Sequence, residues 1–233
     1  MKYSVLKYLF IFCFLGVGFT AYAQVEQDSV QLDTRYLEDQ FYFGVGYNIL
    51  MNRPDGVVQR NLSYNLQAGF MKDIPFNKRR NFGIGLGVGY AVNSYYSNVV
   101  ATETNSVVSY EIMDQSMFNR SKFELHSLEI PFEIRWRTST AEDYKFWRIY
   151  AGVKLGYVFS GTSKVVTDDG NHKFSNNDIE DFQYGLTFNF GYNTWNMHAY
   201  YGLKSLLEDG VALDSGAPLD FQVLRIGLIF YIL

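Results

Sequence analysis

This chain has little that would brace a small secreted domain covalently or carry it through a membrane as helices. Its 233 residues include one cysteine, four prolines and three histidines. Cys13 lies inside an apolar N-terminal run that reads as a secretory signal, so the mature chain is expected to hold no cysteine, which excludes disulfides and thiolate-held metals. Phe12 stands before it, where a lipoprotein acylation site needs a small residue, and this argues against lipidation. After the signal, no run approaches the roughly 20 apolar residues that a membrane helix requires. Basic clusters are scarce too. Lys78-Arg79-Arg80 reads as a solvated turn, and the formal charge of −4 becomes −6 once Lys2 and Lys7 leave with the signal. Nucleic acid is therefore not an expected partner.

What the chain has is aromatics and glycine in alternation. There are 20 Phe, 19 Tyr and 20 Gly. Across 182–193, Phe182, Tyr184, Leu186, Phe188, Phe190 and Tyr192 share one strand face, and Gln183, Gly185, Thr187, Asn189, Gly191 and Asn193 share the other. The same period-two pattern recurs over 41–50, 62–71, 82–93, 124–137, 146–159, 195–204 and 221–233. In 82–93 the polar phase is Gly83, Gly85, Gly87 and Gly89, which leaves room for large side chains opposite. These glycines recur along a strand and do not open a helix, so they are not a dinucleotide loop.

The connections alternate in length. Short links are expected at 73–81, 138–145 and 193–194, and long ones at 51–61, 93–123, 160–181 and 205–220. The predicted fold is all-β: an eight-stranded antiparallel up-and-down transmembrane β-barrel with short periplasmic turns and long extracellular loops. Weak alternation over 107–112 leaves a ten-strand barrel as the alternative. Its expected home is the bacterial outer membrane, among outer-membrane lipid and lipopolysaccharide.

Facing lipid, a mid-depth Arg or Lys costs about 2–4 kcal/mol, so the charged phase must point into the lumen. This places Glu129, Glu133, Arg135, Arg137, Arg148, Lys154, His198 and Arg225 inside, with Lys204 expected to join them. Eight strands enclose an interior that side chains can fill. A salt-bridged plug is the leading expectation, and a gated ion path the sharper one. Pro131 cannot donate to a sheet ladder, so a bulge or an unpaired position is expected there.

Three segments are expected: a signal peptide at 1–23 cleaved between Ala23 and Gln24, a polar periplasmic tail at 24–40, and the barrel domain at 41–233. Catalytic chemistry has few candidates. His126 and Ser127 are neighbours on opposite strand faces, His198 is assigned to the lumen and His172 to a loop. No triad or metal set emerges, so neither enzyme activity nor a cofactor is expected. The acidic loop residues Asp168, Asp169, Asp178, Glu180, Asp181, Glu208, Asp209 and Asp214 offer oxygen ligands, but without the spacing of a calcium loop.

Four features together resemble the PorT-like outer-membrane β-barrels of the Bacteroidota: the signal, the first strand Phe43-Gly44-Val45-Gly46-Tyr47, the element Leu128-Glu129-Ile130-Pro131-Phe132, and the last strand from Arg225 to Ile232. Within that last strand Arg225, Gly227, Phe230 and Ile232 resemble the signal read by barrel assembly machinery, although the chain ends in Leu233 where Phe is common. The resemblance implies the fold and the outer-membrane location. Through its founding members it also implies a tie to secretion, as an accessory subunit of an envelope complex. Loop-mediated surface binding is the alternative function.

Overall fold

The computed structural model describes residues 39–77, 79–114, 116–138 and 146–232. The signal, its Ala23/Gln24 cleavage site and the tail as far as Glu38 lie outside the described residues. Eleven strands follow in order: β1 (Asp39–Met51), β2 (Tyr64–Pro75), β3 (Phe82–Tyr96), β4 (Val99–Thr104), β5 (Val107–Ile112), β6 (Arg120–Arg137), β7 (Trp147–Thr167), β8 (Gly170–Ser175), β9 (Phe182–Tyr192), β10 (Trp195–Gly202) and β11 (Gln222–Ile232). Eight of them form the barrel in the order β6-β3-β2-β1-β11-β10-β9-β7, and pairing of β6 with β7 closes it. Every pairing is antiparallel. The weak alternation at 107–112 belongs to a separate hairpin, β4–β5, outside the barrel wall. The count is therefore eight and not ten.

Alternation sets the two faces. Phe41, Leu86, Ile134, Leu155, Phe188 and Met197 are among the large apolar side chains left exposed on the outside. In water such a belt would be an aggregation surface; around a barrel it is the lipid contact. Trp136, Trp147 and Trp195 stand at the turn end of their strands, with Trp147 stacked 5.2 Å from Phe190 and Trp195 edge-on 5.4 Å from Phe230. Nearer the loop end, Tyr157 and Phe182 pair at 5.1 Å. These are the two interfacial girdles.

Several strands run past the expected bounds. β2 continues past Met71 to Pro75, and β7 continues past Phe159 to Thr167. In β7 the cause is a bulge: His126 pairs with Ser160 but Ser127 pairs with Val158, so Phe159 is an extra residue. The inward phase runs to Val158 and resumes at Ser163 and Val165. Pro131 carries no bulge. It pairs with Lys154 on the β7 side, while the ladder to β3 skips from Phe132 to Glu129, leaving Pro131 without a partner there.

Above the wall the long connections fold into a head. Leu50, Val57, Tyr95, Val99, Tyr110, Phe123, Ile179, Leu206, Leu213, Leu219 and Phe221 belong to one buried apolar cluster drawn from all four long connections and the strand ends beneath them. The β4–β5 hairpin lies against the upper parts of β6 and β7, where Ser121 donates to the Val99 carbonyl at 2.7 Å.

Candidate functional site

The interior holds two buried charged groups, one at the turn end and one farther up the barrel. At the turn end, Asp73 meets Arg137 in a close ion pair and Arg135 at 3.8 Å. Arg135 also bridges to Glu133 at 3.0 Å, donates to Gln40 at 3.1 Å and lies 4.5 Å from the Tyr150 ring centre. Gly85 makes this possible, because a Cβ there would stand 2.5 Å from the Arg135 Nε. Farther up, Lys154 Nζ pairs with Glu129 at 2.7 Å and donates to Gln67 at 2.6 Å. The other Glu129 oxygen faces Arg225 at 3.5 Å, and Arg225 donates to Asn48 at 3.1 Å and Asn93 at 2.6 Å. Glu133 accepts from Asn189 at 2.9 Å, whose own oxygen lies 2.6 Å from His198 Nδ1. Arg148 stacks 4.6 Å from the Phe146 ring centre.

All eight residues of the expected cluster are buried: Glu129, Glu133, Arg135, Arg137, Arg148, Lys154, His198 and Arg225. Lys204 is corrected. β10 ends at Gly202, so Lys204 lies in the loop beyond and bridges to Glu180 at 2.7 Å. That hydrogen bond holds its ammonium pKa above the ordinary value. The sequence reading missed Asp73, the third buried carboxylate of the network, together with Gln40, which was assigned to the tail and is the second residue of β1. Extending the polar phase of β2 from Ser63 through Asn65 and Gln67 reaches Asp73, and that was the available signal.

The head has its own polar clasp. Tyr110 of β5 donates to Asp178 at 2.9 Å, and Asn176 donates to Ser163 of β7 at 2.8 Å and to the Tyr110 oxygen at 2.9 Å. The acidic loop residues are dispersed: Asp178 serves Tyr110, Glu180 serves Lys204 and Asp168 accepts from Asn119 at 2.9 Å. Among the described residues no group of three or more His, Cys, Asp or Glu gathers as a metal would need. The three histidines are apart. His126 faces outward, 2.6 Å from the Tyr90 hydroxyl, while its neighbour Ser127 is buried on the other face. His172 lies on β8, exposed.

A cleft of about 530 Å³ opens between the β4–β5 and β7–β8 hairpins, with Val100, Val165 and Phe174 among its apolar lining and Glu103, Asp169, His172 and Lys173 among its polar lining.

Comparison with known proteins agrees with this architecture. Residues 22–208 match the family model described as "Outer membrane protein beta-barrel domain". No curated protein matches the chain. Among solved structures, the chain is similar to Ail, the attachment invasion locus protein of Yersinia pestis, with 16% identity and a TM-score of 0.35 over 83% of this chain and 98% of that one. The same protein in complex with the heparin analogue sucrose octasulfate gives 14% identity and a TM-score of 0.32 over the same shares. With a closed eight-stranded wall, a lipid-facing apolar belt and a family match over most of its length, this chain belongs to the outer membrane protein beta-barrel domain family and resides in the outer membrane.

Proposed function

We propose that this protein is a non-enzymatic surface-recognition protein, held by its barrel and working through its head. The head's own hydrophobic core carries this reading. Loops that only reverse the chain need no core, and ordering each residue costs about 1–2 kcal/mol of backbone entropy. Here the third and fifth strand connections are locked to each other through Tyr110, Asn176 and Asp178. A fixed, water-facing shape with a cleft is what recognition of an external ligand requires. The cross-linked interior supports the same division of labour, since its charges engage one another and brace the wall.

The test replaces the β4–β5 hairpin with a short Gly-Ser turn. Wild type and variant, each in nanodiscs, are screened against immobilised extracellular glycans and matrix proteins. A ligand retained by wild type and lost in the folded variant is the expected result; retention that does not depend on the hairpin removes the proposal.

The Leu128–Phe132 element favours a second reading, an accessory subunit of an envelope or secretion complex. Gentle detergent extraction, with a tag in the 168–171 turn, distinguishes the two. A particle much larger than one 26.9 kDa chain with its micelle, carrying other envelope proteins, would establish the subunit role.

A further inference from the structure

On the outward face of the sheet that rises above the barrel, three lysines stand side by side. Lys122 of β6 pairs directly with Lys164 of β7, and Lys164 pairs directly with Lys173 of β8. One rung higher Arg120 pairs with Val166, and one rung lower than Lys122 the same face holds Glu124. Side chains directly opposite across an antiparallel pair have Cβ atoms about 4.5–5.5 Å apart, and like charges there repel. The row therefore places four cations around a single carboxylate. Glu124 is already engaged in a close pair with Lys122, which also lies 5.8 Å over the Tyr96 ring. Among the described residues no carboxylate lies within ion-pair distance of Lys164 or Lys173, and the one whose charge Lys173 does feel is the same Glu124, already shared with Lys122.

The height of the row identifies what would supply the missing charge. Lys122 shares its face with Leu128 and Ile130, which are exposed in the apolar belt. Between them His126 joins Tyr90 and Phe159 in an aromatic group that marks the upper edge of that belt. Four residues of strand above His126 span about 13 Å, or about 9 Å of height at a tilt near 45°. That is above the acyl chains and below the open medium, on the side of the sheet that faces neighbouring lipid and away from the head's own core.

We propose that the Lys122–Lys164–Lys173 row binds the phosphorylated headgroup of outer-leaflet lipopolysaccharide. Phosphate oxygens accept from the ammonium groups and relieve their mutual repulsion. The row overlaps the head cleft only at Lys173, and it orients the head against the membrane surface by gripping the lipid beside it.

The experiment uses the full chain in nanodiscs made with lipopolysaccharide, either phosphorylated or enzymatically dephosphorylated. Lipid retained after detergent re-extraction is counted by mass spectrometry. In the double variant K164Q/K173Q, retention of the phosphorylated lipid should fall about tenfold, and retention of the dephosphorylated form should stay unchanged. Lys122 is kept because it braces Glu124, and folding of each variant is checked by its heat-dependent gel mobility. Lys72→Gln, a Lys-to-Gln exchange at the turn end, should alter neither value. Equal retention by the double variant overturns the proposal, as does an equal loss in Lys72→Gln. Complete competition by millimolar inorganic phosphate would make this a free-anion site and overturn the lipid assignment.

Discussion

Glu129 is the residue on which the middle of the interior turns, because two cations depend on it. Lys154, from the neighbouring strand, and Arg225, from across the lumen, reach its two oxygens. Removing one partner of a buried ion pair costs about 3–5 kcal/mol, since the remaining charge stays buried without compensation. Glu129→Gln is therefore expected to lower the urea midpoint of folding in lipid vesicles by a shift of that size. Adding Lys154→Met should recover part of it; a double variant no better than the single would show that the Arg225 contact dominates. In the head, burial first, and then the Asp178 carboxylate against the opposing Asn176 hydrogen bond, raise the Tyr110 phenol above its ordinary 10.0. The unfolded phenol ionises near 10.0 while the folded one keeps its proton. The folded head thus binds more protons above that pH, and its stability is lost as pH rises through the window. Asp169→Cys, made together with Cys13→Ser, gives a single labelling position. A fluorophore there should report head opening above pH 10, and Tyr110→Phe should remove that alkaline step.

At the level of elements, the wall depends on glycines where strands approach closely. A Cβ on Gly152 of β7 would collide with the carbonyl oxygen of Phe132 on β6, and backbone cannot swing aside as a side-chain tip can. Gly152→Ala is expected to cost about 1–3 kcal/mol, read as a lowered folding midpoint, whereas Gly156→Ala on the same strand, whose Cβ would meet nothing closer than 3.7 Å, should leave the midpoint nearly unchanged. The strands themselves were legible in the sequence because lipid outside and polar side chains inside impose one period on every segment. The glycine row of β3 showed even where the large residues would go. What the alternation hid is where it slips. The reading stopped at Phe159, since the bulge changes the phase there and the same face then falls on residues of the other parity. The head was illegible for a different reason. Its core draws single residues such as Val57, Ile179 and Leu213 from separate connections, and no local period links them. Asp73 was missed because the second segment was ended at Met71 and Asp73 was given to the short link, although β2 runs on to Pro75.

For the whole molecule, the interior charges predict electrical silence. Five buried cations and three buried carboxylates engage one another or stack on aromatic rings along the barrel axis. Wild-type protein in a planar bilayer is expected to give no conductance steps across a broad voltage range; regular steps would show that the network parts under a field. β1 and β11 are zipped over eleven residue pairs, from Phe41 with Ile232 to Met51 with Gln222. The first strand to leave the translocation pore thus waits for the last, and until then each end of the growing sheet offers bare backbone to any neighbour. Escort across the periplasm is for this chain a requirement of topology: nearly the whole sequence must be delivered, and kept from pairing with strangers, before its two ends can meet.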